Sequence, residues 1–180
     1  SKEFVLILND IAMVMADTSR SKCYIKEIIK YDLIPKYILL LINSKSEVLP
    51  GQENSNLDKT QAKNNIIIRD RNSKMYEREL YNDPEGKFKI VIKGKVDGMN
   101  DDIVVETKNR TKRLFNSIPD YEKVQLNSYM FLTSKVNSLH IECYNESQNS
   151  TEYPLDELFW DDCCEKIIEF VKKDIICHIK

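Results

Sequence analysis

The sequence predicts an α/β (α+β) domain in which a central mixed, mostly antiparallel β-sheet is flanked by helices and preceded by a helical lead-in. Three observations predict it. The chain has 180 residues, inside the roughly 100 to 200 residues of an ordinary single domain. Between residues 66 and 108, short apolar runs alternate with tight polar turns, as in strands linked by hairpins. On either side of that block, apolar residues recur at helical spacing.

The elements follow in order. Residues 3–43 read as helices, with Phe4, Leu8, Ile11 and Met15, then Ile25, Ile28 and Ile29, then an apolar run opening near Pro35. Residues 44–64 are polar and contain Pro50-Gly51, after which a polar helix is expected, either exposed or facing a cleft. Candidate strands cover 66–68, 75–81, 87–97 and 102–108, the middle two joined by the turn Asn82-Asp83-Pro84-Glu85-Gly86. A helix is expected over 119–133, where Ser117-Ile118-Pro119-Asp120 resembles a capping box. Strands at 138–144 and 151–153 precede a C-terminal amphipathic helix marked by Leu155, Leu158, Phe159, Cys163, Ile167, Phe170 and Val171. The expected organisation is one domain over 1–180, with a lead-in over 1–45 and the functional core over 50–180.

A net charge of −2 gives the whole chain no pull toward polyanions. Any site for nucleic acid must then be local. The apolar run Tyr37-Ile38-Leu39-Leu40-Leu41-Ile42 is far short of the roughly 20 residues that span a bilayer. No membrane partner is expected, and with no signal-peptide layout the protein is expected to be intracellular, nucleus or cytoplasm left open. Cys23, Cys143, Cys163, Cys164 and Cys177 lack the spacing of a disulfide framework and read as reduced thiols.

The chemistry concentrates in Gly94-Lys95-Val96-Asp97-Gly98 and Ile103-Val104-Val105-Glu106-Thr107-Lys108-Asn109-Arg110. Period-two alternation puts Val91, Lys93, Lys95 and Asp97 on one face of their strand. In the next strand it puts Val104, Glu106 and Lys108 on a common face. A hairpin brings Asp97 and Glu106 to one sheet edge, where two carboxylates repel unless a cation sits between them. Mg²⁺ suits that place, taking hard oxygen ligands and leaving positions for water and phosphate. A lysine beside it can orient or deprotonate the attacking water, and the Thr107 carbonyl is a further candidate ligand. Downstream, Gln125 and Tyr129 are four residues apart and share a helical face that can meet this edge.

Asp97, Glu106-Thr107-Lys108 and Gln125-x-x-x-Tyr129, in that order, resemble the PD-(D/E)xK nuclease superfamily, above all its RecB-type and phage-exonuclease-like (YqaJ) branch. The phrases Gly-Lys-Val-Asp-Gly, Val-Glu-Thr-Lys-Asn-Arg and Tyr-Glu-Lys-Val-Gln-Leu-Asn-Ser-Tyr-Met are also similar to nucleases of large DNA viruses. The resemblance covers about residues 87–133. It implies a restriction-endonuclease-like core and one or two Mg²⁺ or Mn²⁺ ions held by Asp97 and Glu106. It also implies that Lys108 helps activate water, and that Gln125 and Tyr129 help hold the lysine and the DNA end. An upstream acid is implied as well. Glu53 resembles it loosely, with Glu77 and Glu79 as competitors.

The activity implied is a metal-dependent DNA nuclease, an exonuclease of recombination, repair or replication. Two alternatives stand beside it: an RNA endonuclease of the cap-snatching type, whose sites add an upstream histidine, and a catalytically silent nucleic-acid-binding module of the same fold. Lys93, Lys95, Arg110, Lys112 and Arg113 cluster around the acids and read as phosphate contacts for nucleic acid, DNA preferred. Phe115 and Tyr121 read as packing residues, and His140 and His178 as structural ones. An iron–sulfur cluster is not expected, because neighbouring cysteines rarely ligate one cluster together. Glycine-rich phosphate loops and zinc patterns are lacking, and no protein partner is indicated.

Overall fold

A computed structural model of the chain describes residues 2–7, 37–40, 52–71 and 73–175. In chain order these form β1 (Lys2–Ile7), β2 (Tyr37–Leu40), α1 (Gln52–Asn64), β3 (Tyr76–Asn82), β4 (Phe88–Gly94), β5 (Gly98–Met99) and β6 (Ile103–Asn109). Then come α2 (Asp120–Thr133), β7 (Asn137–Tyr144), β8 (Ser147–Pro154) and α3 (Glu157–Phe170), which runs on into a π-helical turn, Val171–Ile175. The strands make two four-stranded sheets, ordered β2-β1-β4-β3 and β5-β6-β7-β8. Among the described residues no helix is long and apolar enough to cross a membrane.

The mixed α/β architecture agrees with the sequence. In the first sheet β1 is parallel to β2 and β4, while β3 is antiparallel to β4. In the second, β5 and β6 are antiparallel, β6 and β7 parallel, β7 and β8 antiparallel. Among the described residues three strand pairs are antiparallel and three parallel, a mixed arrangement. The helical lead-in needs correction where it is described: residues 2–7 and 37–40 are strands. Their short apolar runs fit a strand as well as a helix, and carry no alternation to tell the two apart. Leu8, Ile11, Met15, Ile25, Ile28, Ile29 and Leu33 lie outside the described residues.

Residues 66–68 also differ from expectation. No strand forms there, because helix α1 takes the backbone donors: Ile66 N–H bonds the Gln61 carbonyl at 3.3 Å and Ile68 N–H bonds Gln61 Oε1 at 2.9 Å. Only Arg69 pairs onward, exchanging backbone bonds of 2.7 and 2.9 Å with Met99. That close approach explains Gly98. A Cβ on it would run into the Ile68 Cγ2 methyl, so the residue after Asp97 must be glycine for the edge to close.

Helix α2 starts at Pro119, extended at φ −70° and ψ 155°, with no side-chain cap; the expected capping box does not form. Its proline pre-sets the entry instead. The helix ends at Ser134, in the left-handed region at φ 56°. At α3 the Asp156 side chain caps, accepting from Phe159 N–H at 3.1 Å. Asn127 ties the two helices, its Oδ1 accepting from Asp156 N–H at 3.0 Å.

Strand β6 is covered on both sides. Val104 joins Ile90, Ile92, Leu126, Tyr129, Met130, Trp160 and Ile167 in one core, while Val105 joins Leu57, Ile68, Leu139 and Ile141 in the other. Helix α2 belongs to the first core and α1 to the second. Each fully buried aliphatic side chain of this kind contributes roughly 1.5 to 3 kcal/mol. The result is a rigid strand whose even-numbered residues face α2.

Candidate active site

Glu106 and Lys108 stand on that α2-facing side of β6. The Lys108 ammonium donates to Glu106 Oε1 at 2.8 Å and to Gln125 Oε1 at 2.5 Å. Gln125 Nε2 in turn donates to the Tyr129 hydroxyl at 3.1 Å. A lysine only donates, so the amide must turn its oxygen to Lys108 and its NH₂ to Tyr129. Four residues named from the sequence therefore form one hydrogen-bonded chain.

Asp97 reaches the same place by another route. Strand β4 ends at Gly94, short of the expected 97, and Asp97 lies in the bend before β5. Its Oδ2 accepts from the Thr107 backbone N–H at 2.8 Å and from Thr107 Oγ1 at 3.0 Å. Thr107 thus positions the aspartate beside Glu106 through its amide and hydroxyl. Burial first, and the Asp97 charge second, hold the Glu106 carboxyl well above the ordinary carboxylate range against the pull of Lys108. Burial alone would lower the Lys108 pKa, but the ion pair with Glu106 and the charge of Asp97 outweigh it and raise it above its ordinary value.

One atom of this cluster is left over. Glu106 Oε2 is buried without a hydrogen-bond partner, an arrangement that costs about 1 to 3 kcal/mol or more for a polar group. With Asp97 alongside, the donor set is hard, anionic and short of positive charge. It fits a divalent cation, which takes carboxylate oxygens and keeps sites for water and phosphate. Among the described residues no group of three or more His, Cys, Asp or Glu gathers as a ligand set. Asp97, Glu106 and the Thr107 carbonyl are therefore the candidates in hand. Glu77 is on β3, paired to Lys93 at 3.2 Å, and Glu79 is exposed on the same strand. Glu53 falls in the first turn of α1, its side chain outside the described residues. One helical turn on, Asn56 Nδ2 donates to Asn109 Oδ1 at 2.5 Å, docking α1 on the far end of β6.

The basic residues separate into two groups. Lys95, Lys112 and Arg113 are exposed. Lys93 is engaged by Glu77, and Arg110 is withdrawn altogether. Its side chain is 10% exposed, bound to Glu122 and Glu142, and stacked 3.8 Å from the Phe115 ring centroid. Its guanidinium is thus engaged by protein partners. Sequence reasoning missed Glu122 and Glu142 and read His140 as structural; its Nε2 lies 2.8 Å from Glu122 Oε2. The missed signal is the even-numbered row: His140 is the register partner of Glu106, and Glu142 of Lys108.

A cavity of about 490 Å³ opens one strand further out, lined in part by Phe115, Asn116, His140, Glu142, Asn149 and Thr151. None of Asp97, Glu106, Lys108, Gln125 and Tyr129 lines it; its link to them is the pairing of β7 with β6. Tyr121 is half exposed. On α3, burial pushes the Cys163 thiol up to about 11 and the Cys164 thiol to about 12, so both are protonated at neutral pH. Cys23, Cys177 and His178 lie outside the described residues.

No family description and no curated relative matches the sequence. Solved structures do. An alkaline exonuclease (LHK-Exo) from Laribacter hongkongensis is similar at a TM-score of 0.63 and 13% identity, over 93% of this chain and 86% of that one. Its complex with dAMP gives a TM-score of 0.61 at 13% identity, over 94% and 87%. A phage-related exonuclease from Haemophilus somnus 129PT is similar at a TM-score of 0.56 and 14% identity, over 87% and 81%. At such identities the likeness is one of fold. That fold is one on which exonucleases are built, in agreement with the nuclease core expected from the motifs.

Proposed function

We infer that this chain is a metal-dependent DNA nuclease that hydrolyses phosphodiester bonds with metal-activated water, working from DNA ends in recombination, repair or replication. The observation that carries the reading is the junction at Glu106. One of its oxygens holds Lys108, the other is buried and unpartnered, and Asp97 stands alongside. A solvated hairpin has no use for such a group. Asp97, Glu106 and the Thr107 carbonyl would hold Mg²⁺ or Mn²⁺. When bound, the cation supplies Lewis-acid polarisation of the phosphate and acidifies the attacking water.

The chain's own residues do the rest. Lys108, fixed by Gln125 and Tyr129, presents an ammonium that orients the water and offsets charge on the phosphate. Lys95, Lys112 and Arg113 are exposed and would track the DNA backbone. The cavity beside β7 gives a flanking nucleotide room, being within the size range of ligand pockets. The fold shared with exonucleases supports the same reading.

The test uses end-labelled linear duplex and closed circular DNA, with Mg²⁺, with Mn²⁺ and with EDTA. Linear DNA should shorten with either metal, stay intact in EDTA, and be cut about 10² to 10³ times more slowly by Asp97→Ala. Circular DNA should survive. Cleavage in EDTA, or undiminished cleavage by Asp97→Ala, would overturn the mechanism, and cutting of the circle would make the enzyme an endonuclease.

A further inference from the structure

We propose that Arg110 is a positioning residue: it clamps α2 to the end of β6 and so sets Gln125 against Lys108, without touching the substrate. The proposal rests on the nuclease reading for its catalytic consequence, but its geometry stands apart from it.

Glu106, Lys108 and Arg110 follow one another at every second residue, so they share one side of β6 and its extension. Pairing with β7 continues through Arg110, whose backbone N–H donates to the Cys143 carbonyl at 2.7 Å. On α2, Glu122, Gln125 and Tyr129 share one face at intervals of three and four residues. The two rows meet at two points. Lys108 bonds Gln125, and Arg110 bonds Glu122 with both arms of its fork, Nη1 to Oε1 at 2.6 Å and Nη2 to Oε2 at 2.9 Å.

The second point is built to be rigid. Arg110 Nε also donates to Glu142 Oε1 at 2.7 Å, an oxygen that accepts the Phe115 N–H at 2.5 Å. Glu122 is held again by His140. The carboxylates are 3% and 5% exposed, so their bonds are shielded from water and salt. The fork binds β6, β7, the 110–119 loop and the first turn of α2 together. Gln125 is one turn further along that helix, and Lys108 takes its second acceptor from it. Loosening the first turn lets Gln125 drift, and displacing a catalytic group by about 1 Å can cost roughly a hundredfold in rate. Lysine cannot replace the fork, being a point charge on a flexible stem.

The experiment compares wild type, Arg110→Lys and Arg110→Met in steady-state cleavage of linear DNA over a range of salt, and records the Gln125 side-chain amide by ¹⁵N NMR. A positioning role predicts kcat lower by about ten- to a hundredfold in both variants, KM within about threefold, and an unchanged salt slope. The Gln125 amide resonance should shift or broaden even in Arg110→Lys, which keeps the charge if Arg110→Met fails to fold. Unchanged kcat with raised KM and a salt slope smaller by about one would make Arg110 a phosphate contact and overturn the proposal. Inactive wild type would defeat the nuclease reading alone. In that case an unmoved Gln125 resonance in Arg110→Lys would overturn the clamp, and a moved one would uphold it.

Discussion

Lys108→Met is expected to lower the single-turnover rate of DNA cleavage by about 10³-fold, the range seen when a general catalyst or a preorganised donor is removed. The ammonium is held by Glu106 and Gln125 at 2.8 and 2.5 Å, so its position is set before substrate arrives. Methionine keeps the stem and its packing but offers no donor. The fold should survive, because burial already lifts the Glu106 carboxyl, and a carboxyl in that state takes a proton when its partner leaves rather than staying as a bare buried charge. Normal melting with the rate intact would mean that Lys108 is a structural counter-ion and nothing more.

Glu122→Ala should be the most destabilising polar substitution in the site region, by about 3 to 5 kcal/mol, because it strands the charge of a buried ion-pair network. For a chain of this length that is a fall in Tm of roughly 6 to 20 °C. The same carboxyl gives a pH signature. Burial works to raise its pKa, but hydrogen bonds from His140 and Arg110 and the charges of Arg110 and Lys108 overcome it and hold the group at about 2, from an ordinary 4.5. Glu142 is the remaining charged neighbour, reached through Arg110. A carboxyl depressed by folding stabilises fully above its unfolded value and loses that contribution as the pH falls through its folded one. Wild type should therefore lose urea stability more steeply than Glu122→Gln between about pH 4.5 and 2. Parallel slopes would remove Glu122 from the network.

The contrast between Lys108 and Arg110 shows what a sequence can carry. Alternation places Glu106 and Lys108 on one face, and helical spacing places Gln125 and Tyr129 on one face; both are local rules, and the structure joins the two faces. Arg110 obeys the same alternation, yet its partners Glu122, His140 and Glu142 depend on the parallel register of β6 on β7 and on how α2 crosses them. Nothing local announces a parallel register, so Arg110 reads from sequence as a phosphate contact and Glu122 and Glu142 go unnoticed. Asp97 was legible by its order before Glu106 but not by strand alternation, since β4 ends at Gly94 and Thr107 holds the aspartate. At the N-terminus the apolar runs of β1 and β2 carried no period with which to separate strand from helix. The strands at 76–82, 103–109 and 137–144 and the helix at 120–133 were legible because tight turns or a proline bound them.

The most direct measurement is a Mn²⁺ titration of the protein without DNA, followed by electron paramagnetic resonance, in wild type and Asp97→Asn. Asparagine keeps an oxygen for the Thr107 amide and hydroxyl and removes only the charge, so the fold should stay and melting should be unchanged or improved. Saturable Mn²⁺ binding in wild type, weakened about ten- to a hundredfold in Asp97→Asn, is the result expected of a cation held between Asp97 and Glu106. Equal affinity in the two proteins, or no binding in wild type, would contradict it.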